Sequence, residues 1–421
     1  MREGWTEREG VRLHFLEWTP EPDFEGPARE PILFLHGLSS NARFWGRVAA
    51  RLPGRRMLAL DQRAHGLSSR TPGGYDHETL VADAAHLLVE VGTGPALVAG
   101  HSWGAAIALE LAAARPDLVS GLAFIDGPAA SMSEVLSWEQ AQQMMQPPLP
   151  HFANLAEAIA RKRQELEWER SWGDDLVSFV QAGLVSEDGG YVLTLTEEAR
   201  FEILRELFHY HPELLWPHVQ GPVAVLLAES DSPIGRWKRR AEETIRSLRP
   251  DAEIRWFRSP HDIPIHLPDE VAVELELLSI RAAFARLSRD LTELGGGWDG
   301  PSPAAGWSAH DLLAHVSSTQ AVLAATVGSA AQASGLPREP FDADRWNAGQ
   351  VRRRQERPVA DLLEEVSEGT ARLEEALHGA DLSKRVNIGG FAGLPLVDAL
   401  WSLLAHQRGH LEELRHSLTP S

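Results

Sequence analysis

The chain has 421 residues, 43% hydrophobic and 24% charged, a composition that fits two or three folded domains. Forty basic residues against sixty acidic ones leave a formal charge of −20. Such a surface repels phosphate backbones and anionic lipid, so neither nucleic acid nor a membrane is expected as a partner. The chain has no cysteine, which excludes disulfides, thiolate metal sites and a cysteine nucleophile.

Met1-Arg2-Glu3-Gly4-Trp5 lacks the apolar core of a signal peptide, and no run of about 18 apolar residues occurs. A soluble, cytoplasmic protein is the expectation. Arginine carries nearly all the positive charge, the lysines being Lys162, Lys238 and Lys384.

In chain order, Val11 to Trp18 reads as an opening strand. Pro31 to Leu35 is a buried strand ending at His36-Gly37, and Arg56 to Leu60 is another ending at Asp61. A helix is predicted near Thr79 to Val91, a strand over Ala96 to Ala99 and a helix over Ala105 to Ala114. Val119 to Ile125, Val223 to Ala228 and Glu253 to Phe257 complete the strands. Continuous apolar strands separated by helices predict a parallel sheet covered on both faces. Residues about 130–215 interrupt the alternation. They read as a mostly helical insertion over the C-terminal edge of the sheet.

Beyond about residue 280 no strand-like run recurs. Helical stretches fall near 281–294, 308–330, 359–378 and 396–416, with loops at Gly295-Gly296-Gly297 and Gly335-Leu336-Pro337. This predicts an all-α bundle, and a domain division into 1–280 and 281–421.

Gly100-His101-Ser102-Trp103-Gly104 places a serine between an apolar strand and an alanine-rich helix. A nucleophile on so sharp a turn needs small neighbours, hence the two glycines, and the helix N-terminus favours developing negative charge. A serine hydroxyl needs a base. His261, just after the last strand in Ser259-Pro260-His261-Asp262-Ile263-Pro264, is the candidate. Asp231, which follows the strand Val223 to Ala228, is the candidate acid to orient it, with Asp126 and Glu229 as rivals. The backbone N–H groups of Leu38 and Trp103 are the candidate oxyanion donors. His101, His65 and His86 read as packing or supporting residues, and His36 as a hydrogen-bonding shaper of the oxyanion loop.

Residues 1–280 resemble the α/β-hydrolase superfamily, in its esterase and C–C hydrolase branches. The motifs are Leu35-His36-Gly37, Asp61-Gln62-Arg63-Ala64-His65-Gly66, Gly100 to Gly104, and His261-Asp262-Ile263-Pro264, in that order. Ala64 departs from the glycine usual in relatives. Serine at position 102 argues against the epoxide hydrolases and haloalkane dehalogenases of this fold, which carry aspartate there. The resemblance implies an α/β-hydrolase fold with a helical cap, and a Ser102–His261–Asp231 hydrolase acting on an ester or related carbonyl of a small molecule.

In the second half, His406 and His410 are four residues apart in a predicted helix, about 40° apart on one face, a spacing that suits two ligands on one metal. His315 is the candidate third ligand, on a helix that Ser308 would cap; His310 is expected to face solvent. Gly306-Trp307-Ser308 leading to Ala314-His315, Asn347, and Ala405-His406 to His410-Leu411 resemble the DinB-like bundle and its mycothiol-dependent maleylpyruvate isomerase relatives. That resemblance implies a four-helix bundle holding a divalent metal on His315, His406 and His410, zinc or nickel by the donor set. It also implies a low-molecular-weight thiol as cosubstrate. Such bundles often pair, so a homodimer is expected. The alternative activity is then a metal-dependent thiol transferase or isomerase with the hydrolase part accessory. Arg352-Arg353-Arg354 is expected to be a solvated face.

Overall fold

The computed structural model describes residues 1–165, 171–231, 233–302, 306–332, 342–386, 391 and 393–418. The predicted loop at Gly335-Leu336-Pro337 lies outside the described residues. The chain divides into two compact units, Met1–Phe24 with Arg29–Ser279, and Glu25–Ala28 with Ile280–Ser421.

In the first unit the strands are β1 (Arg2–Arg8), β2 (Val11–Trp18), β3 (Ile32–Leu35), β4 (Met57–Leu60), β5 (Ala96–His101) and β6 (Val119–Ile125). They continue with β7 (His151–Phe152), β8 (Leu184–Glu187), β9 (Gly190–Leu193), β10 (Val223–Ala228) and β11 (Glu253–Phe257). Eight form the main sheet, in the order β1-β2-β4-β3-β5-β6-β10-β11. From β4 to β11 the neighbours are parallel, as the apolar runs predict. The sheet as a whole is mixed, because β2 is antiparallel to β4 and β1 to β2. Strand β1 escapes the sequence reading because it is an edge strand with most of its side chains in water and no apolar run. Its hairpin turns at Glu9-Gly10, where both residues have positive φ.

Alternate residues of the inner strands feed two cores. Leu33, Leu35, Val98, Phe124 and Val225 pack with the helices His77–Glu90 and Trp103–Ala114. Ile32, Phe34, Leu97, Ile125 and Leu226 pack on the opposite face with Val271, Leu275 and Leu278. This two-sided burial accounts for strands that are apolar throughout rather than alternating. The helix His77–Glu90 starts where it does because the Asp76 side chain accepts the Thr79 N–H.

The insertion holds the helices Trp138–Met145, Leu155–Glu165, Asp174–Ala182 and Glu197–Phe208, but it is not only helical. A small antiparallel sheet, β7-β9-β8, lies within it, with a tight turn at Asp188-Gly189. These strands are two to four residues long, too short to set up a periodic pattern, although the Asp-Gly pair is a hairpin signal.

In the second unit the described helices are Ala309–Gln332, Ala343–Arg352, Val359–Leu377 and Leu396–Leu418, together with the part of Pro268–Thr292 that follows Ser279. Ala343–Arg352, capped by Asp342, was not predicted; its sequence is largely polar. Leu312, Val316, Leu323, Val366, Leu373, Leu404 and Leu411 are buried in this unit. Among the described residues no helix is long and apolar enough to cross a membrane.

Candidate functional site

Strand β5 ends at His101 and the helix Trp103–Ala114 begins two residues later, so Ser102 alone makes the turn. Its φ of 53° and ψ of −124° are dihedrals that side-chain-bearing residues rarely adopt. The flanking glycines are required by contact. A Cβ on Gly100 would meet the Ala105 Cα at 2.6 Å, and one on Gly104 would strike the carbonyl oxygens of Leu35 and His36.

His261 follows β11 and reaches back over the sheet. Its Nε2 is 2.9 Å from the Ser102 Oγ and its Nδ1 is 2.6 Å from an oxygen of Asp126. With Nδ1–H donating to the carboxylate, Nε2 is left to accept the serine proton. Asp126 stands at the end of β6 with φ of 48° and accepts the Ala228 N–H at 2.8 Å. Lys238, on the helix Pro233–Leu248, donates to both carboxylate oxygens at 2.6 and 2.7 Å. Burial alone would raise the Asp126 carboxyl; hydrogen bonds and charge from His261 and Lys238 overcome this and hold it below the usual carboxylate value. Burial likewise opposes the imidazolium of His261, but the Asp126 hydrogen bond and charge prevail and raise it above the usual imidazole value.

The acid expected from sequence is therefore corrected. Asp231 is exposed, and the carboxylate against His261 is its rival Asp126. Nδ1 has one N–H to donate, and Asp126 accepts that hydrogen bond. Glu229, the third candidate, pairs with Arg258 at 3.4 Å. Lys238 carried no signal in the sequence beyond the scarcity of lysine.

Ser102 and His261 open into a cavity of about 760 Å³. Leu38 and Trp103, the two candidate oxyanion residues, are on its wall. Most of the rest is apolar, including Pro128, Met132, Leu136, Met145, Leu207 and Ile234, drawn from the insertion and from the helix that carries Lys238.

The other histidines brace this frame. His36 bonds the Gly37 carbonyl through Nδ1 at 2.8 Å and accepts the Gln62 N–H through Nε2 at 3.1 Å, which shapes the loop leading to Leu38. His65 bonds the Arg63 carbonyl and accepts the Ser39 N–H. His101 donates Nε2–H to the carbonyl of His261 at 3.0 Å. Burial lowers His65 to about 3; burial, helped by the charge of His261, lowers His101 to about 4. Ala64 has a φ of 59°, so a Cβ is carried where glycine would be relaxed.

The second unit holds a separate cluster. His315 lies on the helix Ala309–Gln332, which Ser308 caps by accepting the Asp311 N–H, and His406 and His410 lie on Leu396–Leu418. The Nε2 atoms of His315 and His410 are each 3.1 Å from that of His406, and one ligand atom from each ring lies within 4.8 Å of the others. Glu413 accepts from Nδ1 of His410 at 2.8 Å, which fixes that ring with Nε2 free to ligate. Three imidazole nitrogens this close together suit a divalent metal, and these three residues could hold one. Burial, with the charges of His410 and His406, lowers His315 to about 3. His310 is apart from the cluster; it is half-buried and donates to the Arg357 carbonyl rather than facing solvent. Of the arginine run, Arg352 and Arg353 are exposed while Arg354 pairs with Glu365 at 2.7 Å.

Comparison with known proteins agrees with this division. Residues 32–275 match the model of the alpha/beta hydrolase family, and the chain belongs to that family. Residues 277–407 match the mycothiol maleylpyruvate isomerase N-terminal domain. Lipase LipV of Mycobacterium tuberculosis is 37% identical over 153 residues, 36% of this chain and 54% of that protein. The sn-1-specific diacylglycerol lipase ABHD11 of Danio rerio is 26% identical over 209 residues, 48% of this chain and 64% of that protein. The chain thus spans only about half to two thirds of the length of these relatives. Among solved structures, the thioesterase domain from the curacin biosynthetic pathway has a TM-score of 0.54 at 21% identity, covering 65% of this chain and 99% of that one. E-2-(acetamidomethylene)succinate hydrolase has a TM-score of 0.53 at 22% identity, covering 66% and 98%. At these identities the likeness is one of fold.

Proposed function

We propose that the first unit is a serine hydrolase that cleaves an ester or related carbonyl through Ser102, His261 and Asp126. The observation that carries this reading is the unbroken line of hydrogen bonds from the Ser102 Oγ through both ring nitrogens of His261 to Asp126. The lipases among its relatives support ester cleavage.

In this mechanism the Ser102 Oγ bonds to the carbonyl carbon while its proton passes to Nε2 of His261. The Leu38 and Trp103 N–H groups stabilise the oxyanion. The tetrahedral adduct collapses as His261 gives its proton to the leaving alkoxide, which departs as the alcohol. Water then attacks the acyl-serine, His261 takes its proton and returns it to Ser102, and the acid is released. Asp126 stays ionised and steadies the imidazolium in both halves. The apolar cavity walls favour a substrate with a substantial apolar group beside the carbonyl.

The test is fluorophosphonate labelling of the full chain followed by an ester and thioester panel. Labelling and turnover are expected in the wild type and lost in Ser102→Ala. Labelling that survives Ser102→Ala sinks the proposal.

The second unit supports a second reading, carried by the convergence of three Nε2 atoms. His315, His406 and His410 would hold a divalent metal, zinc or nickel. When bound, the metal would supply an open position able to stabilise a low-molecular-weight thiol as its thiolate. The chain has no thiol of its own to compete for it. Glu413 keeps His410 in the ligating tautomer, and burial keeps His315 neutral. Metal content by elemental analysis, and its loss in His406→Ala, tests the site; a thiol transfer or isomerisation assay on the same preparations tests the activity.

A further inference from the structure

Lys238 is a buried lysine in a chain that has only three, with 7% of its side chain exposed. Its ammonium is fully engaged. It donates to the two oxygens of Asp126 at 2.6 and 2.7 Å and to the Ala228 carbonyl at 3.2 Å. Three donors therefore surround the carboxylate, namely the Ala228 N–H, the Lys238 ammonium and the His261 Nδ1–H. A triad acid needs only the last of these to orient its imidazole. The two others clamp the carboxylate plane, and one of them brings a full positive charge.

We propose that Lys238 is a positioning residue for the serine hydrolase reaction: it fixes Asp126 in the plane that meets Nδ1 of His261, and its charge offsets that of Asp126 so that the imidazole remains a free base nearer to neutrality. This proposal rests on the reading of Ser102, His261 and Asp126 given above.

The argument is electrostatic and geometric. Asp126 is buried, with its side chain fully inaccessible, while 53% of the His261 side chain is exposed, so the charge of Asp126 is unscreened on its own side and reaches the ring across a 2.6 Å hydrogen bond. Alone, that charge would favour the imidazolium strongly, and a base already protonated cannot take the Ser102 proton. A cation on the far side of the carboxylate weakens this pull without removing the hydrogen bond. His101 and Asp262 do not supply such a charge, and Arg236 and Arg240, which line the same cavity, are not hydrogen-bonded to Asp126 as Lys238 is. The His101 ring, at the end of β5, lies tilted at 45° with its centroid 4.8 Å away and is held neutral by burial, and the carboxylate of Asp262, the next residue, acts on His261 in the same sense as Asp126. Lys238 is the positive charge that meets Asp126 directly.

The experiment measures the second-order rate of fluorophosphonate labelling against pH, which reads Ser102 activation without knowledge of the substrate. Wild type, Lys238→Met, Asp126→Asn and the double variant are compared, with circular dichroism and melting curves to establish folding. Lys238→Met is expected to slow labelling about tenfold at pH 7 and to move the acid limb upward by about half to one pH unit. Asp126→Asn and Asp126→Asn/Lys238→Met are expected to share one limiting rate above the acid limb, because Lys238 positions His261 through Asp126, while the midpoint of the double variant lies higher, because the Lys238 charge also acts on the ring. The double variant also removes both members of the buried pair, so it is expected to fold even where the lysine deletion alone leaves an unpaired buried charge. An unchanged pH profile in folded Lys238→Met overturns the proposal. If that variant does not fold, a double variant whose limiting rate falls below that of Asp126→Asn, or whose midpoint does not rise, overturns it. Wild-type protein that is never labelled, or is labelled elsewhere than Ser102, instead overturns the hydrolase reading itself.

Discussion

His101 and His261 are joined through the backbone: Nε2–H of His101 donates to the carbonyl oxygen of His261 at 3.0 Å. The residue before Ser102 thus anchors the loop that carries His261. The bond needs a proton on Nε2, and burial with the adjacent His261 lowers His101 to about 4, so the ring supplies that proton as the neutral Nε2–H tautomer. His101→Ala is expected to cut kcat by about 10- to 100-fold with the fold retained, because a small displacement of the base costs reactive geometry. Steady-state kinetics on an ester found in the panel, beside a melting curve, check this. Wild-type kcat in the variant would show that the loop holds itself.

The choice of acid separates two aspartates. Asp126→Asn should lower kcat by about 10⁴-fold, since an amide cannot hold His261 in the working tautomer or stabilise its imidazolium. Asp231→Asn should leave kcat within about twofold of wild type, because an exposed group away from Nδ1 contributes little. The reverse ranking would restore Asp231 and discard the geometry around β6.

The base has a pH signature. Asp126 raises His261 above the usual imidazole value of 6.5. The free base is the working form, so kcat/KM should fall on the acid side with a midpoint above 6.5. A pH–rate profile with its acid midpoint below 6 would contradict this assignment.

Stability should also respond to acid. His65 and His101 titrate near 3 and 4 in the folded chain, against 6.5 when exposed, and His36 is lowered too, in each case chiefly by burial. Between these values the unfolded chain binds protons that the native chain does not. Their contribution is complete above about pH 6.5 and is lost as pH falls toward 4. The carboxylates Asp61 and Asp126, whose values are lowered, contribute above 3.8 and lose their contribution only below it. Melting temperature should therefore decline from pH 7 to pH 4.5, before the carboxylates titrate. A flat Tm across that range would show that these rings are not held neutral.

Metal binding has its own readout. Adding zinc or nickel to chelator-treated protein should raise the melting temperature of the second unit, by about 2.7 kcal/mol of stability at a hundredfold excess over Kd. His406→Ala should abolish the rise, since its Nε2 lies between the other two. An equal rise in that variant would place the ion elsewhere.

Much of this was legible in the residues. The inner strands announced themselves because both their faces are buried, which makes their runs apolar throughout. Strand β1 did not, because an edge strand with a solvated face carries no such run. Ser102 was legible because a one-residue turn between strand and helix tolerates only small neighbours, and His406 with His410 because a helix repeats every 3.6 residues.

What the chain order left open was the acid, and the clamp upon it. Strands β6 and β10 are parallel neighbours, so Asp126 and the segment holding Asp231 both emerge at the same edge of the sheet. Local sequence places a carboxylate at each strand end but cannot say which one a loop arriving from β11 will meet. That was decided by the packing of Lys238 from the following helix and by the path of the His261 loop, contacts between residues more than a hundred positions apart. Charge, burial and direction at such a junction are properties of the assembled unit, and no short stretch of the chain contains them.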